Sequence, residues 1–197
     1  LTLSSLHIMS TELILDSLRR RMRAMHSLYE DACATMTLDQ VNHVERDAVL
    51  PIAFSLFHYV NMEDSAYMFI TGEAPIFNNE WAEKIGVAIA DHGKERTPEE
   101  MVDQRIGNYD AFIEYMNAVW ARTEAFLVDL DPAILTELLI PKPYPPQVAS
   151  TYSARVGGEA GITKLDAMEC WWYQHGLRQM GEIEHARALV GLEGMTS

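Results

Sequence analysis

Cysteine is scarce in this chain: Cys33 and Cys170 are its only two in 197 residues. Two thiols in separate helical segments make no disulfide framework and fit reduced side chains in a reducing compartment. Positive charge is also in short supply. Lys and Arg number 15 against 29 Asp and Glu, for a formal net charge of −14. Nucleic-acid affinity comes largely from Lys and Arg displacing counterions, so nucleic acid is excluded as a partner class. Docking on an anionic membrane surface is disfavoured for the same reason. No stretch reaches the ~20 apolar residues of a membrane span. The most apolar segment, Ile52 to Ile70, is interrupted by His58, Asn61, Glu63 and Asp64. The start, Leu1 to Met9, lacks the basic and long apolar regions of a signal peptide. Met9-Ser10-Thr11-Glu12-Leu13 is expected to be a natural start behind vector-derived or misassigned residues. The expectation is a cytoplasmic protein whose residues 1–10 are a flexible or vector-derived start and whose residues 11–194 form one domain.

What is present is helical. Apolar residues make up 48% of the chain, enough for one hydrophobic core. From about Thr11 to Thr35, Leu15, Leu18, Met22, Met25 and Tyr29 recur every three or four residues and define one buried stripe. A second helix is expected from Pro51, favoured in a first turn, to about Thr71, where Gly72 stops it. Its face of Phe54, Phe57, Asn61, Asp64 and Met68 mixes apolar and polar groups. The third carries a start signal in Thr97-Pro98-Glu99-Glu100. Met101, Ile106, Tyr109, Phe112, Ile113, Met116, Trp120 and Phe126 then continue it to about Val128. The fourth spans about Thr163 to Val190, with Leu165, Met168, Trp172, Leu177, Met180, Ile183 and Leu189 as its buried residues.

Residues 72–96 and 130–162 are long connections, the first with a short helix near Trp81 to Ile85. The second contains the run Pro141-Lys142-Pro143-Tyr144-Pro145-Pro146, which favours polyproline geometry. The fold class expected is all-α: a four-helix bundle with long connections after helix two and helix three.

Candidate chemistry rests on two of the seven histidines. His58 and His175 each sit inside an apolar helix, where an imidazole needs a partner. The others, His7, His26, His43, His92 and His185, read as surface or loop residues. Gln179 follows His175 by four residues and Glu182 by seven, so all three share one helix face. At ~1.5 Å per residue Glu182 lies ~10 Å from His175, which makes it a pocket-lining candidate and not a co-ligand. His58, His175 and Gln179 are the metal-ligand candidates, set against the alternative of ordinary core histidines.

Other signatures fail. A di-iron carboxylate site needs two Glu-x-x-His motifs, and only Glu182 to His185 occurs. Neither a His-Glu-x-x-His nor a His-x-x-x-His pair exists. Gly157 to Lys164 has the flavour of a phosphate loop but the wrong spacing and no expected strand before it. Trp171, Trp172 and Tyr173 form an aromatic cluster that would favour a homodimer if part of it is exposed.

Taken in order, three stretches resemble the DinB superfamily, which includes DNA-damage-inducible and bacillithiol-transferase-like bacterial proteins. They are Thr37 to Asn42, Ile52 to His58 followed by Glu63-Asp64, and His175-Gly176-Leu177-Arg178-Gln179-Met180-Gly181-Glu182-Ile183 running on to Leu192. Trp81 to Gly86 is similar to an element of the family's connection after helix two. The resemblance covers about residues 11–90 and 163–194. It implies a divalent metal, zinc or nickel, held by His58 and His175, with Gln179 where the family has its third histidine. It also implies a small-molecule substrate, a low-molecular-weight thiol, and transferase or hydrolase chemistry. The alternative is a metal-free bundle that binds a small ligand or a protein partner.

Overall fold

The structure, a computed structural model, describes residues 3–195, with side chains from Ser10 onward. It is mostly helical. α1 runs Leu3–Ala34, α2 Leu38–Val41, α3 Ile52–Thr71, α4 Asn79–Ile85, α5 Pro98–Met101 and α6 Tyr109–Asp129. A 3-10 turn, Pro132–Thr136, leads to strand β1, Leu138–Pro141, followed by α7 Pro146–Ala149, α8 Tyr152–Val156 and strand β2, Gly161–Thr163. The last rod is α9 Lys164–Ala167, a π-helical stretch Met168–Gln174 and α10 His175–Leu189. Among the described residues no helix is long and apolar enough to cross a membrane.

The expected stripe of the first helix is the core. Leu15, Leu18, Met22, Met25 and Tyr29 are all buried. The helix itself starts earlier than Thr11: its backbone is helical from Leu3, while residues 1 and 2 of the expected flexible start lie outside the described residues. α3 has the expected bounds, with Gly72 in the left-handed conformation that ends it. It packs against the π stretch and α10, while α1 packs against α6 and α10. Trp120, Trp172, Tyr59, Tyr115, Phe57 and Phe112 fill the space between them. Leu177 and Leu189, expected inside, are exposed.

One expectation needs correction. The third helix is not continuous from Thr97. The capping box forms as expected, but α5 is a single turn and α6 restarts behind a second cap, Asn108. The interruption has tertiary causes. Buried Gln104 donates to the Ile89 carbonyl at 2.8 Å and accepts from the Ile89 amide at 2.9 Å. Asn42 does the same for the backbone of Ile106. These amide clamps tie residues 104–106 to distant loops, so the local helical signal is overridden.

The all-α class holds broadly, since the described residues are mostly helical, with one small two-stranded sheet added to the helices. β1 and β2 pair antiparallel, Ile140 opposite Ile162, inside a segment expected to be irregular and beside a glycine-rich run expected to follow no strand. Strands of four and three residues are too short for alternation to show in sequence. The small sheet anchors the long connection against the start of the final rod, where Thr163 caps α9 in a capping box with Asp166.

Candidate functional site

His58 lies midway along α3, and His175 stands where the π stretch passes into α10. A π turn widens the helix locally and leaves carbonyls free for other donors. Tyr59 Oη lies 3.0 Å from the Trp172 carbonyl, and Tyr29 Oη–H donates to the Gly176 carbonyl at 2.7 Å. Gly176 makes this closeness possible. A Cβ there would stand 2.1 Å from Met25 Sδ and 2.6 Å from Tyr59 Oη. The backbone beside His175 therefore presses directly on α1 and α3.

As a result the two candidate imidazoles meet. Their ring centroids are 5.1 Å apart and their planes stand at 81°. Tyr59 presents an edge to His175 at 5.6 Å, and Phe54 stacks on His58 at 5.4 Å. Both histidines are half-buried. His58 Nδ1–H donates to the His92 carbonyl, which leaves its Nε2 as a lone-pair nitrogen. That carbonyl belongs to a tight loop: the Lys94 amide donates to His92 Nδ1 at 3.1 Å, and Asp91 pairs with Arg96 at 2.6 Å. Gly93 takes φ +78° there, and a Cβ on it would strike Phe54.

Burial holds His58 below its ordinary pKa, with neighbouring His92, Arg178 and Lys94 adding to the effect. Burial first, then His58, Arg178 and Lys94, push His175 down to about 3, with the nearby Trp171 backbone opposing them. Both rings are neutral at pH 7, the form in which imidazole binds a metal. His58 is also tied to a backbone carbonyl, the orienting contact usual for a ligating histidine.

The spacing can be tested against a shared ion. Imidazole nitrogens ~2.0–2.1 Å from one tetrahedral ion place their ring centroids about 5 Å apart. The observed separation agrees. Gln179 is half-buried one turn beyond His175. Among the described residues, no group of three or more His, Cys, Asp or Glu gathers around a common point. The donor set is thus two imidazoles plus, at most, neutral oxygens. Glu182 is exposed. Both cysteines are buried, and burial raises each thiol to about 11, so neither is a nucleophile at neutral pH. Trp172 lies wholly in the core, its Nε1–H donating to the Glu63 carbonyl at 3.2 Å. Trp171 and Tyr173 are half-buried against the same core.

His26, expected at the surface, is fully buried. Its Nδ1 lies 2.7 Å from Glu124 and its Nε2 3.1 Å from both oxygens of Glu63, and its ring stacks on Trp120 at 4.1 Å. Burial alone would lower its pKa, yet Glu63 and Glu124 hold it up at about 9. It is therefore a buried imidazolium between two carboxylates. Glu63 also accepts from Tyr59 Oη at 2.6 Å, which links the network to the residue beside His58. The sequence did carry a signal: His26 is four residues after Met22 and three before Tyr29, on the buried stripe.

Asp64 has a different task. Fully buried, it accepts from the Ile76 and Phe77 amides, from Tyr115 Oη and from Arg122. It pins the chain leaving α3. The paired acids Glu63-Asp64 thus face opposite ways, one toward α1 and the other toward the loop. On another face, Arg23, Glu30, Cys33, Met116, Trp120 and Glu124 line a groove of about 520 Å³ between α1 and α6.

No family model matches the chain. No curated protein matches it either. Among solved structures, it is similar to a conserved protein of Enterococcus faecalis, with a TM-score of 0.71 and 17% identity. The match covers 89% of this chain and 95% of the other. At that identity the likeness concerns the fold alone.

Proposed function

We propose that this chain is a DinB-like four-helix-bundle enzyme that uses a divalent metal, zinc or nickel, to act on a small molecule. α1, α3, α6 and the rod of residues 164–189 are the four helices. His58 and His175 are the ligands, and Gln179 is the third donor or the partner of a bound water. The observation that carries the proposal is the meeting of two neutral imidazoles, nearly perpendicular and with ring centroids 5.1 Å apart, the first of them fixed by a backbone carbonyl.

A metal at this place would lower the pKa of a bound water or low-molecular-weight thiol, so that a nucleophile exists at neutral pH. The protein's own residues supply orientation. The His92 carbonyl fixes the His58 tautomer, and Phe54 and Tyr59 hold the two rings in place. An amide oxygen from Gln179 is a weaker, harder donor than imidazole and leaves room for substrate.

The test is elemental analysis of protein purified without a histidine tag. Stoichiometric zinc or nickel that is lost in a His58→Ala, His175→Ala double variant is the expected result. Wild-type protein that takes up neither ion at pH 8, where histidine is neutral, removes the proposal. One observation favours a second reading, a metal-free bundle that binds a small ligand or protein partner. It is the lack of a third His, Cys, Asp or Glu at the pair among the described residues.

A further inference from the structure

The chain carries nearly twice as many acidic as basic residues, yet two cationic side chains, Lys94 and Arg178, lie close enough to act on both His58 and His175. Their positions explain this. Arg178 is three residues beyond His175 on α10, hence on the same side of the helix one turn on. Lys94 lies two residues past His92, whose carbonyl accepts from His58, and its own amide is held by the His92 ring. Gly93 packs against Phe54, which stacks on His58, so the loop that bears Lys94 lies directly over the site.

Most of the other cations are already engaged. Arg20, Arg21, Arg23, Arg96 and Arg122 pair with carboxylates. Arg19, Arg105 and Arg187 are spent on backbone carbonyls. Lys94 and Arg178 are exposed, and among the described residues neither side chain has an ion-pair or hydrogen-bond partner. Two uncommitted cations beside one half-buried site, on so acidic a protein, create a local positive field. Such a field attracts a small anion, while the rest of the surface repels it.

We propose that Lys94 and Arg178 form an anion-binding rim over the His58–His175 pair, and that the site takes a small organic acid through its carboxylate. The inference rests on the reading that the two histidines line a small-molecule site. A carboxylate matches the planar fork of Arg178, with Lys94 as a second point charge. Phosphate is disfavoured. Its binding sites typically use the free amides of a helix N-terminus, and α10 has none, because it continues from the π stretch and α9.

The experiment measures succinate binding by calorimetry to wild type, to Lys94→Met, Arg178→Met and to the double variant, each zinc-free and zinc-loaded. Succinamide, the neutral analogue, and inorganic phosphate are run beside it. Succinate is expected to bind the double variant at least about tenfold more weakly than wild type in both metal states, with weaker binding at higher salt. Succinamide is expected not to bind, and zinc content should not change across the variants. Equal succinate affinity in wild type and double variant, equal binding of succinamide, or a preference for phosphate overturns the proposal. Wild type that holds no zinc but still needs Lys94 and Arg178 for succinate sinks the metal proposal and leaves this one standing. Zinc retained without any dependence of succinate on the two cations does the reverse.

Discussion

His26 Nε2 lies 3.1 Å from both carboxylate oxygens of Glu63, and neither side chain has any surface exposed. With Glu124 on the other ring nitrogen, the imidazole is held as a cation inside the core. Removing one member of such a set leaves a buried charge uncompensated. His26→Ala should therefore cost about 3–5 kcal/mol of folding stability, measured by urea denaturation at pH 6.5.

The same group predicts a pH dependence. The folded-state pKa of His26, about 9, lies above its ordinary value of 6.5. Below pH 6.5 both states carry the proton, and the contribution is fully present. Between 6.5 and 9 the unfolded chain gives up its proton while the native state keeps it, so stability falls as pH rises. Above 9 the contribution is gone. Unfolding midpoints across pH 6–10 should decline through this window in wild type, and the decline should be absent in His26→Gln. A parallel decline in both proteins would assign it to another group.

Gly176 is the position where α10 touches α1 and α3. A methyl group there would overlap Met25 and Tyr59, both buried. Gly176→Ala should destabilise the fold by about 1–3 kcal/mol through overpacking. It should also weaken uptake of zinc or nickel, because the shift moves His175 away from His58. Gly181→Ala, with nothing within 4 Å of its new methyl group, is the control: it should raise stability by about 0.5–1 kcal/mol through helix propensity and leave metal uptake unchanged.

The long periodic segments were legible in the sequence. The buried stripe of α1, the bounds of α3 and the extent of the last rod followed from spacing and caps. So did the candidate pair His58 and His175, each an imidazole within an apolar helix. What did not follow depends on tertiary contacts. The break between α5 and α6 comes from the Gln104 and Asn42 clamps on backbone far away in sequence. The π stretch leaves the apolar pattern of the rod nearly unchanged, so nothing in its residues announces it. Lys94 had no sequence signal, since its place depends on how the loop after residue 86 folds back over Phe54.

Asp64 offers a test of the division between the two adjacent acids. It satisfies two backbone amides, a phenol and a guanidinium at once. Asp64→Ala should lower stability by about 3–5 kcal/mol and increase amide exchange at Ile76 and Phe77. Metal content should stay unchanged per folded molecule, because Asp64 faces Arg122 and Tyr115 and not the histidine pair. Selective loss of metal without loss of stability would contradict that assignment.

Gln179 decides how complete the proposed metal site is. It stands one turn past His175 on the same face, half-buried, with an amide where an imidazole would be the stronger donor for zinc or nickel. Gln179→His should tighten binding of either ion by about tenfold or more, a gain of roughly 1.4 kcal/mol or more, read by competition with a chromogenic chelator. The gain should vanish when His58 is also replaced by Ala, since the new ring then lacks the partner across the gap. Unchanged affinity in Gln179→His would mean that residue 179 points away from the pair. The site would then rest on two protein ligands alone, too few to hold zinc or nickel firmly against a chelator.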